Sequence, residues 1–404
     1  MKPTRDLAPA DVAAVVCDFA GIVLGLEPDE VAALNEDSRL DSDEFGADSL
    51  KLLEFATAVA TFFRLFESEL EDELLRHRRV GDWTNTVLRG WACGSRRITF
   101  MTSGTTGLSA RCTHHWATIA DELDFHAQLF SDRRRVLGLV GPRHIYGFLF
   151  CTLLPRWLGV PFVDLRGVGA TRLANVARTG DLVVGFPTRW NLAANSCPWA
   201  AGVVGVTSTG PVAAETVTAL TDAGLARMVE IYGSSETGGI GWRDDQTSPL
   251  RLIPYWSLQE NGRLQRAPSA AGGKPVSIEP PDILLPRLDG FDIAGRRDGT
   301  VQVAGVNVSC ARVARVLTEH PDVVECAVRL MPHDQGGRLK AFIVPIESRS
   351  AATLSRALRT WLPVHLTPPE IPANLTFGPA LPRDSHGKLC EWLVRNKRFD
   401  PTQS

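Results

Sequence analysis

The chain has 404 residues, 44% of them hydrophobic and 22% charged, with a net charge of −3. That length and apolar content suit about three globular domains, and 35 Gly with 26 Pro describe an α/β-type composition, which excludes a collagen, a coiled coil or a disordered polar chain. The total charge gives no support to nucleic-acid binding. Eight cysteines are scattered without a C-x-x-C pair, which argues against a zinc site or disulfide framework and fits a reducing cytoplasm. Met1 to Ala10 lacks an apolar core, and the apolar stretch from Phe148 to Leu165 is interrupted by Pro155, Arg156 and Pro161. Neither a signal peptide nor a membrane span is expected.

Residues 1–90 carry 19 Asp and Glu against 9 Lys and Arg, a net −10 that leaves +7 for the remainder. An acidic module therefore precedes a mildly basic one, and such opposite potentials attract. Val12, Val15, Val16, Phe19, Ile22 and Val23 follow helical spacing and predict a first helix ending near Gly25. An acidic loop follows, and Asp48 or Ser49 caps a second helix containing Leu50, Leu53, Phe55 and Val59. A further helix is expected from Val80 through Leu88. Taken locally, Asp48-Ser49 reads as an ordinary helix cap.

Taken together, residues 10–90 resemble an acyl carrier protein in the run Phe45-Gly46-Ala47-Asp48-Ser49-Leu50 and in the later Val80-Gly81-Asp82. The resemblance implies 4′-phosphopantetheine on Ser49, attached by a phosphopantetheinyl transferase. A hydroxyl at an exposed helix N-terminus suits that role, because the helix dipole favours the phosphodiester.

Next, the strand-like Ile98 to Met101 runs into Thr102-Ser103-Gly104-Thr105-Thr106-Gly107, whose glycines and hydroxyls can approach and bind phosphate oxygens. No lysine follows as in a P-loop. This loop resembles the phosphate-binding loop of the adenylate-forming enzymes, and four later motifs match that family in order. Tyr232-Gly233-Ser234-Ser235-Glu236-Thr237-Gly238-Gly239 resembles the segment that places Tyr232 against adenine and Glu236 on Mg²⁺. Asp282, seven residues before Asp289, matches the ribose-binding aspartate. Gly295-Arg296-Arg297-Asp298 matches the hinge segment, with Arg296 on ribose and Asp298 as pivot, and the run ending Gly387-Lys388 matches the catalytic loop.

The implied chemistry asks for these residue types. Joining a carboxylate to the α-phosphate of ATP brings two anions together, and Glu236 through Mg²⁺ and Lys388 directly would supply positive charge. The chain departs from the family where Ala110 and Gln302 replace usual lysines and where Asn307 stands near a usual arginine. It also has fewer residues than usual ahead of the phosphate loop.

Arg143-His144-Ile145-Tyr146-Gly147 resembles the segment that lays an aromatic wall beside the substrate, with His144 near its carboxylate. The implied pocket is His144, Tyr146, Gly147, Thr209, Gly210, Gly233 and Gly238. No aspartate stands between Asp132 and Asp164 to pair a substrate ammonium, so an acid without an α-amino group is expected, as in aryl-acid ligases that charge carrier proteins.

The expected architecture is multi-domain: an all-α four-helix carrier bundle (1–88), a shortened α/β adenylating body (95–294) and a small α+β C-terminal lid (295–404). The expected activity is ATP- and Mg²⁺-dependent activation of a carboxylic acid as its adenylate, followed by transfer to phosphopantetheine on its own or a separate carrier protein in the cytoplasm, for downstream carrier-dependent biosynthetic enzymes. Nucleic acid and membrane are not expected partners. Two alternatives stay open: a ligase delivering to CoA or an amine, with the bundle as a docking piece, and a non-catalytic carrier-interaction protein with a decayed adenylating body.

Overall fold

The structure is a computed structural model that describes residues 5–41, 46–101, 111–194, 198–269, 275–303, 306–332, 336–383 and 389–392. The apolar spacing noted above forms α1 (Pro9–Leu24), which ends where Gly25 takes the left-handed conformation, φ 73°. Short α2 (Pro28–Ala33) follows, and then α3 (Ser49–Phe63), whose N-cap Asp48 accepts the Lys51 amide at 2.8 Å. Short α4 (Glu71–Leu74) and α5 (Val80–Cys93) complete the helical segment.

This segment does not close on itself. Val12, Val15, Phe62, Trp83 and Val87 belong to one continuous core with Ile98, Phe100, Phe148 and Val184 from beyond residue 95. Phe62 lies edge-on to both Phe100 and Phe148, with ring centres 5.2 and 5.5 Å away. By contact the chain divides elsewhere: residues 1–102, 109–280 and 284–293 form one compact unit, and 103–108, 281–283 and 294–404 the other. The boundary expected between 88 and 95 thus falls inside a packed body. Charge contributes too, because buried Asp11 and Asp18 of α1 pair with Arg156 and Arg166. The opposite charges of the two sequence halves meet within one core.

After the helices, β1 (Arg97–Met101) pairs antiparallel with β2 (Arg111–His115), and α6 (Trp116–Leu129) follows directly. The main sheet has seven strands: β3 (Arg135–Gly138), β4 (Phe162–Asp164), β5 (Asp181–Gly185), β6 (Val204–Thr207), β7 (Arg227–Ser234), β8 (Gly238–Arg243) and β9 (Arg251–Leu252), in the order β4-β3-β5-β6-β7-β8-β9. The first five strands in that order run parallel, and β8 and β9 add antiparallel. Strands β5 and β6 are buried at every residue, as expected of a sheet covered on both faces. Helical turns at Ile145–Gly147 (α7) and Leu154–Leu158 (α8) lie between β3 and β4. A three-stranded sheet, β10 (Trp256–Leu258), β11 (Leu264–Arg266) and β12 (Val276–Ile278), follows.

The hairpin β13 (Asp282–Arg287) and β14 (Gly290–Arg296) precedes the second unit's own elements. These are the pair β15 (Thr300–Val303) and β16 (Val306–Ser309), the helix Cys310–Thr318, strands β17 (Val323–Leu330) and β18 (Leu339–Pro345), the helix Ala351–His365 and β19 (Asn374–Phe377). Strands β17, β18 and β19 form one mixed sheet whose core holds Val313, Leu317, Ile343, Leu354 and Leu358. Among the described residues, no helix is long and apolar enough to cross a membrane.

Candidate active site

A parallel sheet opens a crevice at the carboxyl ends of its strands where successive connections turn to opposite sides. Here β3 has β4 on one side and β5 on the other. At that carboxyl edge the chain places His144 after β3, Thr209 and Gly210 after β6, Gly233 and Ser234 at the end of β7, and Glu236 just beyond it. The residues expected from the motifs and contained in this unit therefore leave the sheet at one edge.

Each is held in its own way. Tyr146 is buried, and its hydroxyl lies 2.9 Å from the Gly185 carbonyl and 3.0 Å from that of Val206, bracing the ends of β5 and β6. Burial raises its phenol well above the usual range. A Cβ on Gly147 would stand 2.0 Å from the Gly141 carbonyl oxygen, so only glycine fits beside that backbone. Thr209 has φ 73°, a left-handed conformation that a β-branched residue adopts only under strain. His144 has its imidazole pKa lowered, chiefly by desolvation and then by the Arg143 charge, while Asp18 of α1 pulls the other way. Arg143 Nε donates to His144 Nε2 at 3.4 Å. Trp190 of the helix after β5 is wholly buried in the core.

Between β7 and β8, Ser235, Glu236 and Thr237 form a tight turn. Buried Thr237 accepts the Ser234 amide at 3.2 Å and donates its hydroxyl to the Gly238 carbonyl at 2.8 Å. Gly238 has φ 69°, and a Cβ on Gly233 would meet the Gly238 oxygen at 2.3 Å. Tyr232 is half-buried, its ring 5.6 Å from that of Phe291 at 60°. Glu236 is exposed and makes no hydrogen bond or ion pair with a described residue. A hydrated carboxylate on a fixed turn suits Mg²⁺, which takes one or two carboxylates and keeps several waters.

The second unit holds its own cluster. Arg296 donates to both Asp298 oxygens, at 3.0 and 2.9 Å, and its other terminal nitrogen lies 3.9 Å from Asp282. The Thr300 amide and hydroxyl also donate to Asp298, at 2.9 and 2.7 Å. The Arg296 hydrogen bonds, ahead of those from Thr300, hold the Asp298 carboxyl far below the usual range. Gln302 and Asn307 are direct cross-strand partners. Thr102, Ser103, Gly104, Thr105, Thr106, Gly107, Ala110 and Lys388 lie outside the described residues. Ser49 is exposed at the first turn of α3.

Over 367 residues the chain is 39% identical to a 4-coumarate–CoA ligase of Cereibacter sphaeroides, a match covering 88% of this chain and 86% of that one. The chain belongs to the adenylate-forming, AMP-binding enzymes. It is an ATP-dependent, AMP-forming acid–thiol ligase. A 4-coumarate–CoA ligase of Halorhodospira halophila is 37% identical over 90% of this chain and 92% of its own. Residues 312–388 match the AMP-binding enzyme C-terminal domain. Two solved members share the fold at a TM-score of 0.56: an amide bond synthetase of Marinactinospora thermotolerans (14% identity, 94% of this chain and 92% of that one) and o-succinylbenzoate CoA synthetase of Bacillus subtilis (16%, 79% and 72%). A match over 88% of the chain does not fit within the residues after position 88, so the similarity to the ligase of C. sphaeroides reaches into the helical segment. That agrees with the shared core and gives no support to a separate carrier domain.

Motif reading missed several residues of this ligase. Glu122 and His126 of α6 and Arg266 of β11 are buried behind the Glu236 turn, His114 of β2 is half-buried there, and Asp18 lies near His144. One signal was available: Glu122 and His126 interrupt the apolar stripe of Trp116, Ile119 and Leu123.

Proposed function

We propose that the enzyme activates an aryl carboxylic acid of the 4-coumarate type with ATP and transfers the acyl group to the thiol of CoA. The similarity to two 4-coumarate–CoA ligases over nearly the whole chain carries this reading. In the first step a carboxylate oxygen attacks the α-phosphorus and pyrophosphate leaves. In the second the thiol attacks the acyl carbon and AMP leaves, so a poor leaving group has been exchanged for a good one.

Tyr232 would stack on the adenine, Asp282 and Arg296 would hold the ribose, and Thr102 to Gly107 would bind the phosphates. Glu236 would hold Mg²⁺, which supplies charge neutralisation at the phosphates when bound. Lys388 would bridge carboxylate and phosphate, and the lid carrying it would pivot at Asp298 between the two steps. His144 and the small residues Thr209 and Gly210 would border a flat acid.

Transfer to a pantetheine arm on Ser49 is the second reading, favoured by the exposure of that hydroxyl at a helix start. One experiment separates the two. The protein is incubated with Mg²⁺-ATP, 4-coumarate and related aryl acids, with and without CoA, and both small molecules and intact protein are weighed by mass spectrometry. Free aryl-CoA with AMP supports the first reading. Acyl mass on the protein that vanishes in Ser49→Ala supports the second, and no AMP with any acid overturns both.

A further inference from the structure

The turn that carries Glu236 is gripped on both sides by buried and half-buried groups that the chemistry above does not use. Glu122 Oε1 accepts the Gly239 amide at 2.8 Å. The approach is so close that a Cβ on Gly238 would stand 2.5 Å from Glu122 Oε2, and one on Gly239 2.6 Å from Oε1. His114 Nε2 lies 2.6 Å from the Ser235 carbonyl and donates to it. Trp256 and Tyr255 donate to the Gly239 carbonyl at 2.8 and 3.2 Å. Residues on both flanks of Glu236 are thus fixed by β2, α6 and the start of the three-stranded sheet.

A neutral acceptor could bind the Gly239 amide, whereas a buried carboxylate is expensive unless cations face it. His126 Nε2 is 3.5 Å from Glu122 Oε1. Arg266, buried and stacked 3.8 Å from the Tyr255 ring centre, supplies a positive charge. Burial opposes ionisation of Glu122, yet His126, Arg266 and the Gly239 amide together keep its carboxyl below the usual range. A charged acceptor makes a stronger bond to the turn than a neutral one.

We propose that Glu122 is a positioning residue that fixes the Ser235 to Thr237 turn and thereby aims the Glu236 carboxylate for divalent-cation capture. The inference rests on the reading of Glu236 as the Mg²⁺ ligand. Its test is the ratio of ATP dissociation constants without and with Mg²⁺, measured by calorimetry on the full chain, alongside the Mg²⁺ dependence of ATP–pyrophosphate exchange with 4-coumarate. Glu122→Ala should lower the ratio about tenfold while Mg²⁺-free ATP affinity holds within about twofold. Glu122→Gln, which can still accept from Gly239, should lose only about threefold. An unchanged ratio in Glu122→Ala overturns the proposal, as does an equal loss of ATP affinity with and without Mg²⁺, the mark of general loosening. Should Glu122→Ala not fold, Glu122→Gln decides alone, and a wild-type ratio there overturns it. A wild-type ratio in Glu236→Gln instead overturns the metal reading beneath it.

Discussion

Thr209 spends its conformational strain at the carboxyl end of β6, where the substrate pocket is proposed. Such strain survives only where the surroundings impose it, and it is released by a residue that tolerates positive φ. Thr209→Gly should therefore stabilise the protein by about 1 kcal/mol, read as a higher urea midpoint, while weakening the KM for the acid. Lys388→Ala should abolish acyl-adenylate formation yet spare thioester formation from supplied acyl-adenylate. Equal loss of both half-reactions, followed by pyrophosphate exchange and by CoA-ester release, would contradict the assigned role. At this scale the family was legible where its pattern is written in consecutive residues, as in Tyr232 to Gly239. It was silent on Glu122, whose work is done through a backbone amide 117 positions away, a contact that only the tertiary fold creates.

The elements themselves were more legible than their partners. Apolar spacing located α1, Asp48 located the start of α3, and the strand-like run from Ile98 located β1, because each is decided by local periodicity and capping. Pairing was not decided locally. The β7–β8 turn shows why: Gly233 and Gly238 pass within a Cβ's reach of one another, so Gly233→Ala should lower the melting temperature by several degrees, followed by far-UV circular dichroism. In the second unit, the Asp298 carboxyl is depressed by Arg296 and Thr300. Its contribution to stability is complete above the unfolded aspartate pKa of about 3.9 and is lost as pH falls through the lower native value. Asp298→Asn should flatten the acid limb of the stability profile below about pH 4, modestly because the side chain is half exposed.

At the scale of the molecule, the resemblance of residues 10–90 to a carrier rested on the run from Phe45 to Leu50 and on Val80-Gly81-Asp82, two helix starts of a kind that many helical segments share. Charge patterning was real but pointed inward: Asp11 meets Arg156 at 2.7 Å, and the pair is almost wholly enclosed on the aspartate side. Asp11→Ala takes the carboxylate from half-buried Arg156, which keeps its bond to the Asp6 carbonyl, so the change should cost about 2 kcal/mol, measured by urea titration. Residues 95–404 made alone should be insoluble or molten, by near-UV circular dichroism and dye binding, because Phe100 and Phe148 lose the helical wall they pack against. A cooperatively folded fragment would restore the case for a separable N-terminal module.

The shared core also sets an order of events during synthesis. Helices α1, α3 and α5 leave the ribosome before any strand of the seven-stranded sheet, and the face that will meet Phe148 stays bare until that segment emerges. Long-range parallel pairing is slow, so the nascent chain carries an adhesive surface through a large part of its translation. Its yield in a cell should therefore depend on chaperones that shield early helices, and on the pace of decoding between residues 100 and 150, more than on the equilibrium stability of the finished enzyme.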